Sequence, residues 1–439
     1  MFWFLYNIVF SFGFVLALPY FLLRMRRRGG YAKDFSQRFA RYSPEVLERL
    51  QHGRHAWIHA VSVGELFIAL KLMKEWRARV PDVRFVLTVN TSTAHKIAER
   101  EVPAEDVLLY FPADFPWIAR RALGAIRPFA LVLMEVELWP NLIRLAHSRG
   151  VPVILANGRI SDRSFGRYGL AHFFTRRLLP MVDLFCMQSQ TDADRIISLG
   201  APADRVRALG TAKYDVATAD ASGEQKAREL LRAAGVQQGD RIFLGGSTWA
   251  GEENHLLDVF KGLKTRHRNL VLVLAPRHAE RTPAVVQEIK AHMRTFVRRS
   301  ELKAGHPPRA ARPDVFLLDS TGELKNFYAC ADVIFVGKSM TQHGGQNIIE
   351  PALFAKAIVV GPNMENFKAV MQDFADPGAI TQIKNLQELR RTVDDLMADD
   401  DRRKKMGEAA AKVVAEKSGA IARTLDLLEP ILLPPQKQG

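Results

Sequence analysis

Two acidic groups and one glycine-rich loop are the places where residue type and spacing in this sequence could do chemistry. The stretch His59-Ala-Val-Ser-Val-Gly-Glu65 closes an apolar run with a glycine turn and puts Glu65 at a helix start. A carboxylate there either caps the helix, favoured by its dipole, or acts as a general base toward an attacking hydroxyl. The second group is Met134-Glu135-Val-Glu137-Leu-Trp-Pro-Asn141. If the strand continues through it, alternation sends Glu135 and Glu137 the same way. Two carboxylates at the end of a buried apolar strand are costly without partners, which points to function.

The third group gathers basic and amide side chains. Ala275-Pro-Arg277-His278 ends an apolar run with a guanidinium suited to two-pronged contact with phosphate or carboxylate. Gly337-Lys338-Ser339 ends another, and Gln342-His-Gly344-Gly345-Gln-Asn347 leads into Ile-Ile-Glu350-Pro. A glycine-rich loop ahead of a helix offers free backbone N–H groups and the positive end of the dipole, which together make an anion site. Glu350, one turn into that helix, suits the hydroxyls of a ribose; on an outward face it would be an ordinary surface carboxylate. Metal ligation has weaker signals. Asp399-Asp-Asp401 lies between two helical stretches and reads as a cap, while His52 and His55 precede the strand that carries His59. Cys186 and Cys330 are far apart, which excludes a disulfide framework and a zinc ribbon and suits a reducing interior.

These groups sit at the ends of short apolar runs that alternate with amphipathic stretches. Residues 56–62, 84–90, 107–112, 129–135, 151–157 and 184–189 read as buried parallel strands. Residues 66–79 and 140–149 read as crossover helices. A second series follows at 241–247, 270–277, 315–320, 333–338 and 357–362, after the small, polar stretch VATADASGEQ. The pattern predicts two doubly wound α/β lobes facing a cleft, with ligands outside the carboxyl ends of the strands. The expected division is 1–28 for an anchor with its basic flank, 29–215 for a first lobe and 216–225 for a linker. A second lobe over 226–439 completes it, with terminal helices able to pack back on the first.

No charged residue occurs in the first 23 positions, and Arg24-Met-Arg-Arg-Arg28 follows. About 20 apolar residues suffice to cross a bilayer, and the basic flank predicts a cytoplasmic side there. Pro19, Asn7 and Ser11 weaken a spanning helix and favour one lying in the interface. In both cases the body hangs on the cytoplasmic face of a membrane. Removing the segment is then expected to weaken membrane association and leave activity on a detergent-dispersed acceptor. The whole chain of 439 residues carries 62 Lys and Arg against 47 Asp and Glu, a net +15, which calls for an anionic partner. Lys33, Arg38 and Arg41 beside the anchor suit anionic lipid. Nucleic acid is disfavoured, because no recognition motif is present and the aromatics crowd the anchor.

Taken in order, SVGE (62–65), ExELWPN (135–141), NGR-S (157–161), PRH (276–278), S-TGEL (320–324) and GGxN-(x)2-E (344–350) resemble the motifs of the Kdo transferases. The likeness runs over nearly the whole chain behind an apolar N-terminus. It implies a GT-B glycosyltransferase with two Rossmann-like lobes that moves 3-deoxy-D-manno-oct-2-ulosonic acid (Kdo) from CMP-Kdo to a lipid A precursor. It also implies inversion at the anomeric carbon, no metal or other cofactor, and a site at the bacterial inner membrane. Residue by residue, it makes Glu65 the catalytic base and Glu137 a second essential carboxylate. Arg277, Ser339, Asn347 and Glu350 fall on the CMP side, with His278, Gly344 and Gly345 beside them. The chain departs from common members at Trp249, Lys338 and Gln346, and at Thr211 and Tyr214 within the stretch Gly210-Thr-Ala-Lys213-Tyr-Asp215. Two other classes stay in view: a GT-B enzyme using a uridine donor, as transferase or epimerase, and a membrane scaffold without catalysis.

Overall fold

Runs of Val, Ile, Leu and Phe that do not alternate with polar residues must be covered on both faces, which a parallel sheet flanked by helices provides. The computed structural model, which describes residues 2–28, 34–217, 220–303, 309–375 and 378–432, has two such sheets of seven strands each. The first comprises β1 (His55–Ala60), β2 (Arg84–Val89), β3 (Val107–Tyr110), β4 (Ala130–Met134), β5 (Val153–Gly158), β6 (Leu184–Met187) and β7 (Val206–Ala208). Their order is β3-β2-β1-β4-β5-β6-β7, all parallel. The order reverses between β1 and β4, whose ends pair His59 with Leu133. Successive residues point to opposite faces. Trp57, Val86, Leu131 and Leu155 therefore join one core layer, and Ile58, Leu87, Val132 and Ile154 the other.

The second sheet holds β8 (Arg241–Thr248), β9 (Leu270–Pro276), β10 (Phe296–Arg298), β11 (Val315–Leu317), β12 (Val333–Val336), β13 (Ala357–Val360) and β14 (Ile380–Gln382). Its order is β10-β11-β9-β8-β12-β13-β14, so the reversal falls between β8 and β12. The fold is thus two Rossmann-like lobes of the GT-B class. Three strands escape the sequence pattern: β7, β10 and β14. Each has three residues and lies at a sheet edge, where only one side needs a partner and no long apolar run is required.

The division of the chain differs from the sequence expectation at the linker. One compact unit takes Met1–Val216 together with Ser418–Gly439, and the other takes Ala217–Lys417. Residues 221–225, expected in the linker, begin the helix Ala221–Ala233, because Asp220 accepts the Ser222 and Gly223 N–H groups, each at 3.1 Å. The small polar residues that read as a linker are a helix cap. Positions 218 and 219 of that expected linker, and Lys33 of the basic flank, lie outside the described residues. At the other end, the helix Ala420–Leu432 belongs to the first unit, where Ile421, Leu425 and Leu428 enter the core layer of Ile58 and Val132. Asp215 ties it down by accepting the Ile421 N–H at 2.9 Å and that of Gly419. Leu425→Ala should therefore lower the stability of the first unit by about 3 kcal/mol, read as a reduced denaturant midpoint, although the residue lies in the last fifteen positions.

Candidate active site

Ligands of doubly wound sheets bind where the strand order reverses, and in the first unit that is the carboxyl end of β1 and β4. After β1, Ser62 starts the helix Val63–Arg79 with a reciprocal cap: its hydroxyl accepts the Glu65 N–H at 3.2 Å. Glu65 returns the contact, Oε1 accepting the Ser62 N–H at 3.2 Å and Oε2 the Val61 N–H at 2.8 Å. Glu65 is 6% exposed, and these contacts hold its carboxylate at the strand end. Helix capping and a role at the strand mouth are therefore met by the same geometry.

After β4 the chain does not continue as a strand, contrary to the alternation expected from the sequence. Glu135 takes a left-handed conformation, φ 54°, and the chain turns there. Glu135 and Glu137 share a neighbourhood because of this turn and not because of strand periodicity. Burial and the Glu65 charge raise the Glu135 carboxyl, while Lys213 and Arg159 oppose the rise. Burial, then Glu65 and Glu135, push Glu137 up to about 7, with the Trp139 indole offsetting part of it. The Lys213 ammonium is lowered chiefly by burial, with Glu135 opposing. Glu65, Glu135, Glu137, Lys213 and Arg159 thus form one electrostatic cluster. Lys213 had no assigned role in the sequence; its signal was its place in Gly210-Thr-Ala-Lys213-Tyr-Asp215, a stretch that resembles one of the Kdo transferases.

Neighbouring histidines have other work. His59 is fully buried, stacks on Phe111 at 3.7 Å and places Nδ1 3.1 Å from the Thr88 carbonyl oxygen. Burial pushes its ring down to about 3, which keeps it neutral. Asp399 accepts the Arg402 N–H at 2.8 Å, as a cap does.

In the second unit the reversal point is governed by Glu252, a residue the sequence did not single out. This carboxylate is wholly buried and accepts four backbone N–H groups: Trp249 and Lys338 on Oε2, Ser339 and Met340 on Oε1, at 2.8–2.9 Å. It joins the segment after β8 to the segment after β12. A Cβ on Gly337 would lie 2.5 Å from the Ser247 carbonyl oxygen, so only glycine lets the two segments approach this closely. Lys338 is left-handed, φ 57°, and sets its ammonium 4.9 Å from the Trp249 ring centre. Trp249 in turn meets the exposed His278 edge-on at 5.2 Å. The departures Lys338 and Trp249 are thereby one cation–aromatic pair.

Other expected donor-side residues divide. Arg277 is exposed and, with Lys325 and the Asn347 amide, counters the burial that raises Glu350. Asn347 Nδ2 donates to Glu350 at 3.3 Å, so these residues share one patch. Ser339 is fully buried, its hydroxyl donating to the Val336 carbonyl and accepting the Gly361 N–H at 2.8 Å. It shapes the loop from inside. The expectation of free amides at Gly344 and Gly345 fails. Gly344 donates to Glu365 at 2.7 Å and Gly345 to the Lys338 carbonyl at 2.9 Å, and the helix after them, Ile349–Ala352, has only four residues. An internal carboxylate occupies the place an anion would take. Both glycines are left-handed, φ 114° and 69°, and serve the turn.

Two variants check these assignments. A carboxyl whose folded pKa is raised binds its proton more tightly in the native state, so stability falls as pH rises from the unfolded value through about 7. Glu137→Gln should accordingly be more stable than wild type at pH 8, with the gap closing toward pH 5, in denaturant titrations across that range. Glu252→Gln turns an acceptor into a donor facing N–H groups and should cost the second unit about 3 kcal/mol, seen as a lower midpoint for that lobe.

Comparison with known proteins places the chain among sugar-transferring enzymes. Residues 33–216 match the model for 3-deoxy-D-manno-octulosonic-acid transferase, and residues 307–413 match glycosyl transferases group 1. A 3-deoxy-D-manno-octulosonic acid transferase of Haemophilus influenzae is 31% identical over 86% of this chain and 87% of the relative. One from Bordetella pertussis is 32% identical over 92% and 94%. Among solved structures, Anabaena HepE in complex with UDP superposes with a TM-score of 0.58 at 12% identity, over 86% of this chain and 99% of that one. UDP-GlcNAc 2-epimerase from Neisseria meningitidis does so with 0.54 at 11%, over 83% and 99%. At such identities these two share the fold alone.

Proposed function

Because the chain belongs to the 3-deoxy-D-manno-octulosonic acid (Kdo) transferase family, we propose that this glycosyltransferase moves Kdo from CMP-Kdo to the lipid A precursor lipid IVA, with inversion, at the cytoplasmic face of a bacterial inner membrane. The observation that carries the proposal is the carboxylate cluster of Glu65, Glu135 and Glu137 at the reversal point of the first sheet. A sugar hydroxyl is a poor nucleophile at neutral pH and needs a base aligned with the carbon it attacks.

In this reading Glu65 takes the proton from a glucosamine hydroxyl as that oxygen bonds to the anomeric carbon of Kdo. The bond from that carbon to the CMP phosphate oxygen breaks, and its electron pair leaves on the phosphate. The backbone N–H groups at Val61 and Ser62 support the role by fixing the carboxylate's direction; each oxygen keeps a second lone pair for the proton. Arg277 and Lys338 supply positive charge for the phosphate beside His278, and Glu350, steadied by Asn347, receives the ribose hydroxyls. No metal or other cofactor is required for this chemistry. The +15 charge suits the phosphates of the acceptor and anionic lipid as well as the donor.

A second assignment of the base has its own support. Both Glu65 oxygens already hold N–H groups, whereas Glu137 sits at about 7, where a carboxyl exchanges protons readily. One experiment addresses all of this: incubation of the membrane-extracted protein with CMP-Kdo and lipid IVA, following CMP release. Wild type should release CMP only with acceptor present. Glu65→Gln should lose about two orders of magnitude or more in turnover while still binding CMP. Near-wild-type turnover in Glu65→Gln with collapse in Glu137→Gln would transfer the base to Glu137, and no CMP release by wild type would sink the Kdo reading.

A further inference from the structure

The helix Phe2–Arg28 is long and apolar enough to cross a membrane, and Trp3–Tyr20 has a mean hydropathy of 1.5. Its exposure follows a helical period. Trp3, Tyr6, Asn7, Phe10 and Phe14 are half-buried, while Phe4, Ile8, Val9, Phe12 and Val15 are exposed. A helix that met only lipid would show no such stripe. The half-buried side is seated on the first unit. Phe10 and Phe14 meet Phe115 edge-on at 5.2 and 5.1 Å, Tyr6 packs on Phe174 at 5.2 Å, and the Arg144 guanidinium lies 5.2 Å from the Trp3 ring centre.

Two polar contacts lie in the same stripe. The Tyr6 hydroxyl donates to Asp114 Oδ2 at 3.2 Å, and Asn141 Nδ2 donates to Asn7 Oδ1 at 2.8 Å. Asp114 is 1% exposed and caps the helix Pro140–His147, accepting the Asn141 N–H at 2.9 Å and the Leu142 N–H at 2.8 Å. Its backbone carbonyl accepts Asn141 Nδ2 at 2.6 Å. That helix follows directly on the turn bearing Glu135 and Glu137. Polar side chains are costly in an apolar membrane helix unless they face protein. Here Tyr6 and Asn7 complete a part-buried node around the buried Asp114 and Asn141, at the start of the helix behind the acidic turn, where a lost contact leaves a buried polar group without its partner.

We propose that the N-terminal helix positions the acidic site as well as holding the membrane. Tyr6 and Asn7 lock the Asp114–Asn141 node and so fix the turn carrying Glu137, while the opposite apolar face meets lipid. This rests on the reading of that turn as catalytic, and it reverses the sequence expectation that the segment can be removed without loss of activity. Tyr6 and Asn7 are positioning residues, not catalytic ones.

The test uses full-length protein with Tyr6→Phe, the pair Tyr6→Phe/Asn7→Leu, and Val9→Ala on the lipid side as control. Three readouts are taken: vesicle flotation, kcat and KM for CMP-Kdo with lipid IVA, and amide hydrogen exchange over residues 140–147. The pair should float as wild type, lose about tenfold or more in kcat with KM for CMP-Kdo within about twofold, and exchange faster over 140–147. Tyr6→Phe, which removes one oxygen and leaves the packing intact, should move the same way by less, and Val9→Ala should change nothing. Wild-type kcat in the pair, or unchanged exchange over 140–147, overturns the inference. A pair that loses donor affinity together with kcat also overturns it, since that reports general unfolding. Absence of CMP release by wild type would overturn the Kdo reading instead, and the exchange comparison would then decide the coupling by itself.

Discussion

All fourteen strands described are parallel and lie in sheets whose central members are covered on both faces, so polar side chains with chemical work can sit only where strands end. Parallel strands flanked by helices on either side bring the divergence of adjacent loops to one place, the reversal of strand order. In the first sheet that place lies after β1 and β4 and gathers Glu65, Glu135 and Glu137. In the second it lies after β8 and β12 and gathers Trp249, Glu252 and Lys338.

Burying carboxylates at these points carries a cost, and the two lobes meet it differently. Glu252 is satisfied outright by four backbone N–H groups and acts as a clamp. Glu135 and Glu137 are left raised, Glu135 with only partial compensation from Lys213 and Arg159 and Glu137 from the Trp139 indole. A fully satisfied carboxylate is inert and makes shape; a raised one near neutrality can exchange a proton. This contrast separates the acid that organises a loop from the acids available to act on a substrate.

The same distinction applies to the N-terminal helix. Its apolar length is enough to cross a membrane, and the half-buried stripe along the helix decides what it packs against. Phe10 and Phe14 give that stripe packing with Phe115, and Tyr6 and Asn7 give it hydrogen bonds to a cap. A helix seated this way is continuous with the architecture of the first lobe.

The sequence by itself determined eleven of the strands, the alternation with helices, the apolar N-terminal segment and the strand ends as the location of chemistry, because burial imposes a composition that can be read locally. It also determined the ordered motifs that place the chain among Kdo transferases. It did not carry the three edge strands, whose short ladders need no apolar run, and it left the packing of the terminal helices on the first lobe open, because that depends on Asp215 meeting residues two hundred positions away. Only the tertiary structure decided that Glu135 turns left-handed, that Gly344 and Gly345 spend their amides on the protein, and that Tyr6 and Asn7 meet Asp114 and Asn141. Each of these is set by a long-range partner for a backbone or polar group, and such partners are chosen by packing, which no local pattern of residues records.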